Sequence, residues 1–132
     1  MADKQLFVGK WKLIEAYDEQ MQLFDLPEGD FFWELEDTDD GDSLSAFIKV
    51  GNSMRTTINF LSTTTAGEDI SMGLLMSTMM MPPEPLFRLE TYLSDVMPKM
   101  TLLQQQETTI GNNTTKTITF SGVGKLVCQE AS

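Results

Sequence analysis

Apolar and polar residues alternate along much of this chain in runs of about seven to eleven residues. In the first run, Trp11 and Leu13 alternate with Lys10 and Lys12, and residues 54–60 and 87–93 show the same period of two. Clusters of glycine, proline, asparagine and aspartate separate the runs. Period two places alternate side chains on opposite faces of a strand, so the pattern predicts an antiparallel all-β protein.

The spacing of these runs predicts about nine strands in a single domain over residues 1–132. Closing a long meander of strands into a barrel removes its exposed edges, so we expect a closed antiparallel up-and-down β-barrel. The predicted strands cover approximately residues 6–16, 30–37, 43–50, 54–62, 69–78, 86–93, 99–106, 114–121 and 124–129.

One connection, residues 17–28, is longer than a hairpin turn and contains several apolar side chains. Tyr17 and Met21 are four residues apart and Phe24 follows, a spacing that favours a short helix ended by Pro27. We expect this segment to form a helical or Ω-like lid at one mouth of the barrel, packed through Met21, Phe24 and Leu26.

The amino-acid composition argues against several classes of function. The chain has 20 acidic and 9 basic residues, a formal net charge of −11, and no histidine. Without imidazole, the usual serine and cysteine hydrolases and most catalytic zinc sites are excluded, and we expect neither an enzyme nor a cofactor. An acidic surface repels phosphates, which argues against nucleic acid. A single cysteine, Cys128, suits a reducing, cytoplasmic location, and no apolar run reaches the ~18 residues of a membrane span.

The first strand carries the residues Phe7-Val8-Gly9-Lys10-Trp11-Lys12-Leu13, followed by Tyr17-Asp18 and Met21. This opening resembles that of the cytosolic fatty-acid-binding-protein family, and its Gly-x-Trp element is shared with the lipocalins of the calycin superfamily. The resemblance implies a lipid-binding barrel in which Trp11 has a packing role at the closed end. It covers about the first 21 residues.

The end of the chain departs from that family. Its members carry Cys-x-Arg-x-Tyr in the last strand, where the arginine and tyrosine hold a ligand carboxylate. Here Glu130 and Ser132 stand at those two positions, so the carboxylate clamp does not carry over. The family also has two helices after its first strand, and residues 17–28 have room for one at most.

As the resemblance implies, we expect the barrel interior to bind a hydrophobic small molecule, and the parity of the strands predicts which side chains face it. Arg55, Arg88, Glu90 and Tyr92 are predicted to face outward. Because Glu130 replaces the arginine, we expect neutral or cationic amphiphiles to bind better than fatty acids, unless Glu130 simply extends into water. The predicted ligand-binding residues are Met54, Ile58, Phe60, Met72, Leu74, Met76, Phe87, Leu89, Leu102, Phe120, Cys128 and Glu130.

Five of the ten methionines lie between Met72 and Pro85. Their thioether sulfurs could take Cu(I), but without histidine or a second cysteine we expect no metal and interpret them as adaptable side chains that fill a core or line a tolerant pocket. An alternative function is a protein-interaction module, in which a filled barrel presents this segment to a partner.

Overall fold

A computed structural model describes residues 4–131. Within that range the chain forms nine strands, one α-helix and two short 3-10 helices. The bounds are β1 Gly9–Tyr17, β2 Phe32–Asp37, β3 Ser43–Lys49, β4 Ser53–Thr64, β5 Gly67–Met72, β6 Met76–Ser77, α1 Glu84–Val96, β7 Met100–Ile110, β8 Asn113–Gly122 and β9 Gly124–Glu130, with 3-10 turns at Lys4–Leu6 and Met97–Lys99.

The strands close into an antiparallel up-and-down barrel, as predicted. Eight of the strands in residues 4–131 follow one another around the barrel in chain order, and β9 returns to pair with β1. The remaining strand, β6, has two residues and pairs with the part of β4 that extends beyond β5. The β5–β7 junction contains two paired positions, Glu68 with Leu103 and Asp69 with Leu102. In the sequence, helix α1 lies between β5 and β7, the two strands that pair here.

The strand predicted at 86–93 is wrong, because these residues belong to helix α1. The helix begins directly after Pro83, and Pro85 falls in its first turn, where the missing N–H of proline costs nothing. Leu89, Leu93 and Val96 also match the helical spacing of i, i+4 and i+7, and all three are buried. Residues 86–93 fit both the strand and the helix spacing, and the burial of these three side chains against the barrel favours the helix.

Residues 17–28 do not form the predicted helix. The Asp18 carboxylate accepts hydrogen bonds from the backbone N–H groups of Gln20 and Gln22, both at 2.9 Å. Such a bond closes a tight turn and competes with helix formation. Met21 has a φ of 61° and its side chain is exposed. Phe24 and Leu26 pack against the core, so the segment covers the side of α1.

The interior of the barrel is filled by its own side chains. Trp11 and Trp33 are paired neighbours on β1 and β2, at 1% and 0% exposure. Phe120, also fully buried, has its ring centroid 6.4 Å from that of Trp33. The Trp11 Nε1–H donates to the Phe7 carbonyl at 2.9 Å. Tight packing of this kind is the usual state of a protein core.

A β-bulge corrects the predicted parity of β7. The register shifts between Met100 and Leu102, opposite β8. A bulge inserts one extra residue and moves every later side chain to the other face. Leu103 therefore points into the core at 0% exposure, and Leu102, predicted to face inward, is only half-buried.

Among residues 4–131, α1 is the longest helix, with 13 residues, and no helix there is long and apolar enough to cross a membrane.

Candidate functional site

A surface cleft of about 440 Å³ lies between helix α1 and the methionine segment, defined as residues 77–81. Met54 of β4 lies at its base and is fully buried. Three consecutive methionines form one wall, and the exposed side of α1 forms the other. The lining residues are Asn52, Met54, Ser77, Thr78, Met79, Met80, Met81, Phe87, Glu90, Thr91 and Ser94.

The methionine segment is held by polar contacts, since its own side chains are largely exposed. The Asn52 side chain accepts from the Met80 N–H at 2.8 Å and donates to the Met80 carbonyl at 2.9 Å. The Thr78 hydroxyl donates to the same Asn52 oxygen at 2.9 Å. One side chain from the β3–β4 turn thus fixes the backbone of the wall, while the methionine side chains stay free to adapt.

Glu90 joins this turn to helix α1. Its Oε2 accepts from the backbone N–H groups of Gly51 and Asn52 at 2.9 and 2.5 Å. Its Oε1 accepts from the Asn52 side-chain amide at 2.7 Å. A Cβ at Gly51 would collide with Pro82, so glycine permits this close approach. Glu90 is 6% exposed, which corrects the prediction that it faces outward.

The cleft contains one acidic side chain, Glu90, and none of its lining residues is a lysine or arginine. Arg88, the basic residue nearest to Glu90 in sequence, points away from the cleft, and its guanidinium lies 5.5 Å from the ring centroid of Phe24. Arg55 faces outward as predicted, over the ring of Phe47. The cleft is therefore lined by apolar methionine and phenylalanine side chains together with hydroxyl groups, and its one charged side chain, Glu90, is acidic.

Tyr92 is also buried, contrary to the prediction that it faces outward. Its hydroxyl donates to the Tyr17 carbonyl at 2.5 Å and its ring stacks on Phe24 at 4.4 Å. Burial raises the pKa of this hydroxyl. These contacts attach the outer side of α1 to residues 17–24, so the helix wall of the cleft is held from both sides.

The predicted ligand-binding residues fall into separate environments. Of this set, the structure brings Met54 and Phe87 into the cleft. Ser132, the second position of the absent clamp, lies outside the described residues. Ile58, Phe60, Leu89, Phe120 and Cys128 are buried in the core, and Met72 and Leu102 are half-buried. Leu74, Met76 and Phe87 are exposed, which corrects the inward orientation predicted for these three. Glu130 is also exposed, as in the alternative in which it extends into water.

The sequence reasoning missed Asn52, Glu90 and the helix face that carries Thr91 and Ser94. Helical spacing of Leu89, Leu93 and Val96 was the available signal, and it would have placed Glu90 beside the buried stripe. Nothing local distinguishes Asn52 from any other turn asparagine, since its partners lie 28 and 38 residues away.

The single cysteine, Cys128, is buried. Burial raises the pKa of the Cys128 thiol, which is fully enclosed between β1 and β8 and so is a poor nucleophile. Within residues 4–131, no cluster of three or more aspartate, glutamate or cysteine side chains could hold a metal ion. The cleft offers hydrogen-bond groups and apolar area, which are the means of reversible binding.

Fold and cleft together define a small closed antiparallel barrel with a packed interior and a methionine-lined surface cleft. A protein from Burkholderia xenovorans, solved by NMR, has a similar fold, with a TM-score of 0.63 over 98% of this chain and 86% of that one. The two sequences are 13% identical, so the likeness concerns the fold alone. No protein-family model and no curated protein sequence matches this chain.

Proposed function

We propose that this protein reversibly binds a hydrophobic small molecule in the cleft between α1 and the methionine segment, without chemical conversion. The observation that carries the proposal is the cavity of about 440 Å³ walled by Met79, Met80, Met81 and Phe87. Its volume lies within the roughly 300–1,000 Å³ typical of small-molecule sites. The resemblance to fatty-acid-binding proteins and a cytoplasmic location belong to the same proposal, and the single cysteine supports the latter.

The cleft suits this function better than the barrel interior, where the sequence reasoning placed the ligand. Interior side chains such as Trp33, Leu35 and Ile48 are at most 1% exposed and already contact one another. A ligand there would have to displace close-packed atoms, which costs free energy. In the cleft it would cover Met79 and Met81, which are 97% and 84% exposed. Covering apolar surface favours binding.

The test is a titration with Nile red, an uncharged apolar dye whose fluorescence increases in apolar surroundings. The binding variant replaces Met79, Met80 and Met81 by glutamine, which keeps side-chain length and removes the apolar walls. The matched control is Met21→Gln, because Met21 is exposed and lies outside the cleft. We expect the triple variant to weaken Nile red binding about tenfold or more, and the control to leave it within about twofold.

Equal binding by the triple variant and the wild type would place the site elsewhere and contradict the proposal. Absence of Nile red binding by the wild type would also contradict it, and would favour the alternative of a protein-interaction module that uses the exposed methionine segment. That alternative rests on the exposure of Leu74 and Met76, which continue the apolar surface beyond the cleft.

A further inference from the structure

The base of the cleft has a polar feature that a purely apolar ligand would not use. Glu90 lines the cavity and is nearly buried, yet three neutral N–H donors are its hydrogen-bond partners. An ionised carboxylate offers about four acceptor sites on its two oxygens. Oε2 receives two of the three donors and Oε1 receives one. One acceptor site of Oε1 is left for a further donor.

Cations within the described chain do not supply that donor. In residues 4–131 three lysines form ion pairs, Lys4 with Asp37, Lys12 with Asp30, and Lys99 with Glu19 and Asp95. No ion pair of a lysine or arginine in this range involves Glu90. Arg88 is turned toward Phe24. A buried carboxylate without a countercharge is costly, and a ligand cation that reached it would relieve that cost.

From this geometry we infer that the ligand is a cationic amphiphile: an alkyl chain in the methionine walls with a protonated amine directed to Glu90. The inference rests on the proposed function and adds the chemical class of the ligand. Phe87 lines the same cavity, and an aromatic ring favours a cation over an anion. The net charge of −11 also attracts cations and repels fatty-acid carboxylates before they enter.

The test compares three ligands of equal chain length: decylamine, 1-decanol and decanoate, titrated at pH 7 and 0.15 M salt by displacement of Nile red. We expect decylamine to bind about tenfold more tightly than 1-decanol, the value of a charge-assisted hydrogen bond, and decanoate to bind more weakly than both. In Glu90→Gln, which is the same size without the charge, the preference for decylamine over 1-decanol should fall to about twofold or less.

Glu90→Gln also disturbs the donors of Gly51 and Asn52, so a second variant avoids the network. Ser94 lines the cleft and is exposed on α1, and Ser94→Lys brings a positive charge to the cavity. This variant should bind decylamine more weakly and decanoate more tightly, each by about threefold to tenfold. Gln106→Lys adds the same charge at an exposed position of β7 outside the cleft and should change both affinities less than about twofold.

The outcomes separate the two proposals. If none of the three ligands displaces Nile red, the proposed function fails. If 1-decanol binds in the cleft but decylamine binds no more tightly, or if Ser94→Lys and Gln106→Lys act equally, the amine inference fails and the apolar binding function stands. Tightest binding by decanoate would overturn the inference outright.

Discussion

Methionines in the barrel and methionines in the cleft wall play opposite parts. Met54, Met97 and Met100 are at most 1% exposed and fill space between strands and helix. Met79 and Met81, which lie between Met54 and Met97 in the sequence, are 97% and 84% exposed. The first group is held by packing. The second is held because Asn52 binds the backbone of Met80, so the side chains contribute little to holding the wall.

This difference separates stability from binding. The barrel derives its free energy of unfolding from buried apolar area and is complete without a ligand. The cleft wall is a hydrogen-bonded backbone that carries flexible apolar side chains, which suits it to ligands of varied shape. Substitutions in the barrel should therefore alter stability first, and substitutions in the wall should alter binding first.

The largest expected effect is in the barrel. Trp11→Ala removes a fully packed indole and should lower the free energy of unfolding by about 3–5 kcal/mol. Met80→Ala, in the exposed wall, should change it by less than about 0.5 kcal/mol. Urea denaturation followed by circular dichroism measures both. A loss below about 1 kcal/mol for Trp11→Ala would show that the β1–β2 face is not tightly packed and would weaken the comparison.

Asn52 connects the two regions, and its removal should affect both. Asn52→Ala leaves the Met80 backbone and one oxygen of Glu90 without their partners, at a cost of about 1–3 kcal/mol. The folded fraction should bind Nile red weakly because the wall is released. Asn59→Ala is the matched control, since Asn59 forms a single exposed hydrogen bond to Ser71 at 3.3 Å. Unchanged dye binding by Asn52→Ala would mean that the wall does not depend on this side chain.

The paired tryptophans offer a sharper test of the barrel interior. Trp11 Nε1 donates to the Phe7 carbonyl, whereas Trp33 Nε1, equally buried, has no hydrogen-bond partner within residues 4–131. Both phenylalanine substitutions lose similar volume, but only Trp11→Phe loses a hydrogen bond. We expect Trp11→Phe to be more destabilising than Trp33→Phe by about 1 kcal/mol in urea denaturation. The reverse order would indicate that Trp33 Nε1 binds a partner, such as an internal water.

The helix wall should respond to alkaline pH through Tyr92. Because burial raises the pKa of its hydroxyl, its stabilising contribution is complete below the ordinary value near 10 and is lost as the pH rises above it. At pH 7, Tyr92→Phe should cost about 1 kcal/mol through the lost bond to Tyr17. By pH 11 the wild type should lose about 1.4 kcal/mol from this group, so the two proteins become nearly equal. A constant difference between pH 7 and pH 11 would contradict this.

The sequence predicted the barrel well, because period-two alternation is local and recurs in most strands. The misplaced elements each depend on a choice that local pattern leaves open. Residues 87–93 satisfy both strand and helix spacing, and only burial against the barrel selects the helix. Asp18 turns a helical spacing into a tight turn, and the bulge after Met100 reverses the parity of Leu102. The cleft depends on contacts between distant residues, which no local pattern contains.

The central claim is that a ligand enters the cleft and leaves the barrel interior unchanged. NMR of the protein labelled at its methionine methyl groups tests this claim most directly. Titration with 1-decanol, whose binding does not depend on the amine inference, should shift the methyl signals of Met54, Met79, Met80 and Met81. Those of the buried Met97 and Met100 should stay unchanged. Shifts at Met97 and Met100 without shifts at Met79–Met81 would contradict the account and return the ligand to the interior.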